Sequence, residues 1–427
     1  MRRLLLLCGL LLAGCDGSPT PIHRENAVKP LTEIKARLAF TCKHESMPEP
    51  PAEADVLFKY ARWLQVNNQL KRDPAVDAES ARLYRIAAEN GHVKAAINLQ
   101  NGALRGQYLL SAAERIRMSQ RLIDEGVATG YYFIALYLQH GAAGLAKDEE
   151  MALRYFRKAA DEGNAQAQAW VGKKLVPADR APEVARQMLR CAAEQGDGEA
   201  ARSLAINYKI KGEYVEAIEL FQLGVAAGDE SSASFLEHGF DGPEATDRLY
   251  YLDQQKDPER VSRYEKIWRI LANYSYAHPK VPEINEIVPL PPAALPEWDG
   301  KLRWLEAREA NIAPPQPDVW LIAELARRKQ LNPETGRPLP TSPDFEKYTG
   351  ASLLCDSGNA CPRSGYWQVS LCKWEWLSED VPQIRYFAQG NRLPRLRVSF
   401  MAPRIWPLSD RHVSREQPVS WQFIGEA

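Results

Sequence analysis

Nothing in this sequence favours one sign of charge: 54 lysines and arginines face 55 acids, for a formal net charge of −1. Holding nucleic acid by phosphate neutralisation needs a basic surplus, so a nucleic-acid partner is excluded. No apolar run approaches the roughly 20 residues that cross a bilayer as a helix. The sequence also lacks an H-E-x-x-H pair, a G-x-S-x-G elbow and a phosphate-cradling glycine loop. Its seven histidines (His23, His44, His92, His140, His238, His278, His412) are scattered. No catalytic constellation, metal site or cofactor is therefore expected, and the chain reads as a binding protein rather than an enzyme.

What is present is a period. A small-small-x-x-Gly unit closes a helical pattern at Ala87-Ala88-Glu89-Asn90-Gly91 and returns, degenerate, at Ala128-Thr129-Gly130. It recurs at Ala159-Ala160-Asp161-Glu162-Gly163, at Ala192-Ala193-Glu194-Gln195-Gly196 and at the stretch ending in Gly228. The glycine-to-glycine intervals are 39, 33, 33 and 32 residues, the spacing of stacked helical hairpins. Paired alanines let helix backbones approach, and each glycine suits a left-handed C-terminal cap. The 39-residue interval predicts an irregular loop between Gly91 and Gly130, where partner-specific contacts would concentrate.

The fold class expected is mainly α: a superhelical α/α solenoid of hairpins over residues 51–276, including a cap with helical patterns over 245–252 and 260–271. A strap with two helices follows over 277–343. Six prolines within residues 279–296 oppose helix there and favour extended chain. Residues 344–427 alternate with period two in three segments and predict a small β-rich domain.

Before the array, Arg2-Arg3, an apolar run over 4–12 and Leu12-Ala13-Gly14-Cys15 make a cleavable signal too short to span a membrane. This segment resembles a bacterial lipoprotein lipobox, which implies a signal peptide over 1–14, lipidation of Cys15 and a tether within 15–50. The implied location is the periplasm, anchored to the inner or the outer membrane.

Over residues 55–240 the chain resembles the Sel-one-like repeat family, relatives of the tetratricopeptide arrays, most closely through residues 137–168. The run Cys361-Pro362-Arg363-Ser364-Gly365-Tyr366-Trp367, with a Gln389-Gly390-Asn391-Arg392 turn downstream, resembles a short β motif of interbacterial immunity proteins. With the lipobox, repeats and strap, the layout resembles Sel-one-like immunity lipoproteins acting against type VI secretion effectors, including phospholipases. That resemblance implies a protein toxin as partner, bound in the array's groove. An envelope scaffold for a secretion or polysaccharide-assembly complex is the alternative.

Two sets of site residues follow. Seven arginines between Arg385 and Arg415, interleaved with aromatics, suit an interface; with the motif they nominate Arg363, Tyr366, Trp367, Arg392, Arg395 and Arg397 for binding. In an oxidising compartment Cys355 with Cys361 is the first choice for a disulfide. Cys361 or Cys42 with Cys372 are rivals, and Cys191, at an array-core position, is expected to be a buried free thiol.

Overall fold

A computed structural model describes residues 38–175, 181–339, 342–344, 353–371, 375–377, 384–402 and 411–425. The signal segment, Cys15 and Cys372 lie outside the described residues. No helix among those described is long and apolar enough to cross a membrane.

Eleven consecutive helices build the array: α1 (Ala52–Asn68), α2 (Pro74–Glu89), α3 (Val93–Leu104), α4 (Ala112–Asp124), α5 (Thr129–His140), α6 (Glu149–Asp161), α7 (Ala165–Leu175), α8 (Pro182–Glu194), α9 (Gly198–Ile210), α10 (Tyr214–Ala226) and α11 (Glu230–Phe240). The repeat motif caps the even-numbered helices. Gly91, Gly163, Gly196 and Gly228 hold φ of 87°, 109°, 88° and 91°, where a side chain is strained. The next residue then caps the following helix: His92, Asn164, Asp197 and Asp229 accept from Ala95, Ala167, Ala200 and Ser232 N–H.

The second motif is placed differently from expectation. Gly130 lies inside α5, and the capping glycine is Gly126, at φ 74°. The intervals become 35, 37, 33 and 32, so the spacing evens out, and the loop expected in this stretch is the non-helical connection of residues 105–111 between α3 and α4. Gly130 has another use: a Cβ there would stand 2.6 Å from the Ser119 carbonyl oxygen, so it allows α4 and α5 to touch.

The array ends in α12 (Pro258–Asn273), but residues 245–252 form turns rather than the expected helix. The strap then runs back along the array. Its Val281, Ile284, Ile287, Val288 and Leu302 complete the core of α8–α12, despite the short helix α13 (Ile284–Ile287) in a stretch whose prolines oppose one. A proline-rich segment cannot pair as a strand, so its carbonyls need outside donors. Buried Arg260 donates to Pro289 O and Ala293 O at 2.9 and 2.7 Å, and Arg263 to Ile287 O at 2.7 Å.

Two further helices, α14 (Arg303–Ala310) and α15 (Val319–Arg328), carry the strap to the opposite end of the array. There Ile322, Leu325 and Ala326 enter the core of α1–α5. Arg328 Nη1 meets Glu53 Oε2 at 2.5 Å while Asn311 pairs with Asn67 at 2.9 Å. Helix α15 is thus antiparallel to α1, and the strap joins the last hairpin to the first.

The C-terminal unit is β-rich, as expected. One sheet has the order β1 (Leu354–Asp356), β7 (Ser420–Gly425), β2 (Gly365–Ser370), β4 (Ile384–Phe387). The other has β3 (Glu375–Leu377), β5 (Leu396–Ala402), β6 (Arg411–Gln417), and every pairing is antiparallel. Fully buried Trp367 and Trp421 fill its core.

Candidate functional site

Of the residues nominated in the β unit, Trp367 is taken into the core while Arg363, Arg392, Arg395 and Arg397 stay exposed. Trp367 is fully buried, donates its indole N–H to Arg363 O at 3.1 Å and meets Phe423 edge-on. A side chain committed to the core cannot be a surface contact, so Trp367 leaves the binding set. Tyr366 pairs with Tyr386 between β2 and β4, and its side chain lies outside the described residues. Arg363, Arg392, Arg395 and Arg397 are exposed, but Arg397 stands opposite Glu416 across β5 and β6, and Arg363 covers the Phe423 ring at 5.2 Å. The Cys-Pro-x-Ser-Gly-x-Trp run and the downstream turn do meet: Cys361 N–H donates to Asn391 O, Gly390 N–H to Cys361 O and Gln389 N–H to Ser364 Oγ. These bonds build a turn, the structural use of the motif.

The cysteine expectations are corrected. Cys355 and Cys361 are free thiols that point at carbonyls, Ala360 O at 3.5 Å and Arg363 O at 3.1 Å respectively. The disulfide joins Cys42 to Cys191, with a Cα separation of 5.6 Å. Sequence placed Cys191 in the array core correctly but could not show that residue 42 lies against it. That contact exists because residues 42–51 lie along the row of capping glycines. A Cβ on Gly163 would come within 2.8 Å of Glu45 N, and Pro51 covers Gly91. Gln168 donates to Lys43 O at 2.8 Å, Glu45 N–H donates to Gln195 at 3.0 Å, and Lys43 pairs with Glu162 at 2.6 Å. The same row is continued by the strap, where Pro279 O lies 1.9 Å from a Cβ built on Gly228. The capping edge of the array is therefore covered by its own chain at Gly91, Gly163, Gly196 and Gly228, while nothing lies within 4 Å of a Cβ built on Gly126.

The open surface lies where the strap returns to α1. Trp63 donates its indole N–H to Asn311 Oδ1 at 3.0 Å. Beside it, Arg308 stacks on Tyr274, Tyr276 and Trp304 at 5.5–5.8 Å from each ring centre. His278 is held below the ordinary histidine range by desolvation first, then by the positive charges of Arg105, Arg62 and Lys280. These cations crowd one another without neutralisation. Among the described residues neither Arg62 nor Arg105 forms an ion pair; Arg62 donates to Gln65. Ile312 and Trp320 of the strap are 83% and 82% exposed nearby in sequence, values that a side chain of that size rarely keeps without a partner. Arginine with tyrosine and tryptophan is the composition of interface hot spots. The sequence signal for this surface was divided between α1, the 105 loop and the strap, so no single motif carried it.

A separate cleft of about 450 Å³ lies between the start of α4, the Gly144 loop, Arg337 and the β unit's Leu354, Ser370 and Gln422. Among the described residues its only acid, Glu114, is already paired with Arg85 at 2.7 Å.

Comparison with known proteins agrees with the repeat reading. The Sel1 repeat matches residues 68–92, 128–164 and 166–197, so the chain carries Sel1 repeats. The Domain of unknown function (DUF6396) matches residues 232–339, which run from α11 through the strap and α15. No curated protein matches the chain. Among solved structures the chain is similar to immunity protein PA5088 of Pseudomonas aeruginosa, at 26% identity over 59% of this chain and 94% of that one, TM-score 0.47. Immunity protein Pa5087 of the same organism is 24% identical over 60% and 95%, TM-score 0.47. A Sel1 repeat protein from Oxalobacter formigenes is 20% identical over 51% and 97%, TM-score 0.35.

Proposed function

We propose that this chain is a lipid-anchored periplasmic immunity protein that neutralises a type VI secretion toxin by binding and occluding it. The observation that carries the reading is the surface around Arg62, Arg105, His278 and Arg308. It joins unneutralised cations to stacked aromatics and sits on a scaffold fixed at both ends by the strap. Preorganisation of this kind lowers the entropic cost of association. Because residues 42–51 and 279–281 cover most of the capping edge, the partner contacts this other surface. The charge requires an acidic partner surface, which would also speed encounter. The segment ending in Cys15 resembles a lipobox, and lipidation there would hold the binder where a toxin delivered to the envelope would act.

The test is to express a toxin encoded beside this gene in a periplasmic form, with and without the chain. Protection together with co-purification supports the proposal, and absence of both refutes it. A scaffold would instead give an assembly defect on deletion without toxin-specific protection. Cys15→Ser should release the protein from the membrane fraction, and continued detergent-dependent fractionation would refute the anchor.

A further inference from the structure

Cys42 and His44 stand two apart in sequence on a segment that is neither helix nor strand. Cys191 of α8 meets them there. One ligand atom from each of the three lies within 4.8 Å of the others, and Glu194 Oε2 is 3.8 Å from His44 Nε2. Two sulfurs, an imidazole and a carboxylate form a donor set suited to tetrahedral zinc-class ions. At present the sulfurs are bonded to each other and offer no thiolate.

We propose that reduction of the Cys42–Cys191 disulfide converts this crossing into a metal site for zinc or a similar borderline ion, held by Cys42, Cys191 and His44, with Glu194 as the fourth donor. The disulfide takes two electrons and two protons from a dithiol, which is itself oxidised to a disulfide. The metal ion then displaces the two thiol protons as two metal–sulfur bonds form, while neutral His44 binds without losing a proton.

The ligands stay in place when the covalent bond opens, because the segment has other anchors. Gln168 still donates to Lys43 O, Lys43 still pairs with Glu162, and Glu45 still holds Thr129. Entry is from solvent, since Cys42 and His44 are exposed and only Cys191 is buried. The same crossing is thus fastened covalently when oxidised and by coordination when reduced. This inference does not depend on the partner proposed above.

The test uses the full chain, reduced with a phosphine and titrated anaerobically with Co²⁺ alone, then with Zn²⁺. One equivalent of Co²⁺ should produce sulfur-to-cobalt charge transfer and tetrahedral d–d absorption, both removed by Zn²⁺. Cys42→Ser and Cys191→Ser should each lose that equivalent. His44→Ala should weaken it on the order of tenfold or more, at least what loss of an outer-shell partner costs. Far-UV circular dichroism checks that each variant is folded; Cys42→Ser lies on the exposed segment and serves alone should Cys191→Ser unfold. The proposal is overturned if reduced protein gives no thiolate band, if the band survives Cys42→Ser, or if oxidised protein gives it equally.

Discussion

Glu45 accepts a hydrogen bond from the backbone N–H of Thr129 at 2.5 Å and another from its hydroxyl at 2.8 Å, so a residue of the N-terminal segment caps helix α5. The reason lies in the degenerate repeat. Where the other junctions offer histidine, asparagine or aspartate after the glycine, this one has Val127-Ala128, and α5 has no side-chain cap of its own. Glu45 supplies the missing acceptor from 84 residues away. Glu45→Ala should therefore cost about 1–2 kcal/mol, the ordinary value of a lost cap, and Glu45→Gln, which keeps an acceptor, markedly less. Thermal or denaturant unfolding of the two variants checks this; equal losses would refute the capping role.

The covalent link between Cys42 and Cys191 closes 149 residues of chain. Loop-closure entropy for that length gives about 5 kcal/mol, and typical measured values are about 2–4. Reduction, or Cys42→Ser, should lower the unfolding free energy by an amount in that range. Proteolysis within residues 42–51 should change little, because Gln168, Glu162 and Thr129 still hold that segment when the disulfide opens. Unfolding followed with and without a phosphine reductant is the measurement. Cys355→Ser should leave the midpoint nearly unchanged, since that cysteine is free.

Two glycines separate backbone strain from crowding. Gly212 and Gly228 both hold positive φ, 80° and 91°, but a Cβ on Gly212 meets nothing within 4 Å, whereas one on Gly228 lies 1.9 Å from Pro279 O. Gly212→Ala should cost only the left-handed penalty, about 1–2 kcal/mol. Gly228→Ala should cost more and loosen the strap at residues 279–281. Hydrogen exchange at Val281 N–H, which donates to Ala226 O, reports that loosening directly. Equal costs for the two variants would show that the strap contact is not structural.

The repeat was legible in sequence because it depends on local rules: alanine pairs, a left-handed glycine and a polar cap recur whatever lies around them. Its one misplaced register, Gly130 for Gly126, came from the junction where the local rule fails and Glu45 intervenes. Long-range pairing was not legible. Cys42 and Cys191, Trp63 and Asn311, and Arg260 and Pro289 lie 149, 248 and 29 residues apart, and no periodicity encodes which of them meet. The basic–aromatic surface is assembled from such pairings, while the arginine-rich β segments, obvious in sequence, are dispersed over two sheets.

His92 makes stability depend on pH. It is 1% exposed; its Nδ1 accepts from Ala95 N–H at 3.1 Å and its Nε2 faces Asp55 at 3.4 Å. Burial holds it below the ordinary histidine range, against the pull of Asp55, and Lys94 adds to the lowering. A folded-state value below the unfolded one means that the unfolded chain binds more protons between the two. Stability is then full above the unfolded value, about 6.5, and is lost as pH falls through it towards the folded value. Protonation also removes the capping acceptor. His92→Asn keeps an acceptor without a titration, so it should flatten the pH–stability profile in that window by up to about 1.4 kcal/mol per pH unit. A profile of unchanged slope would assign the dependence to another group.

The binding proposal makes a charge-specific prediction. Arg62 and Arg105 come from different elements yet act together on His278, so reversing both should turn a cationic centre into a repulsive one for an acidic partner. Arg62→Glu with Arg105→Glu should weaken toxin binding about 10–100-fold, that is about 1.4–2.8 kcal/mol. Added salt should weaken wild-type binding and have far less effect on the double variant. Arg392→Glu with Arg395→Glu, exposed on the β unit, should leave affinity within about twofold, since rim charges distant from a binding centre contribute little. Titration calorimetry of the three proteins at two salt concentrations decides between the surfaces. Loss of binding in the β-unit variant, with the Arg62 and Arg105 variant unaffected, would move the partner to the C-terminal sheets. Intact binding in both would remove charge as the basis of recognition and leave the exposed Ile312 and Trp320 as the next residues to truncate.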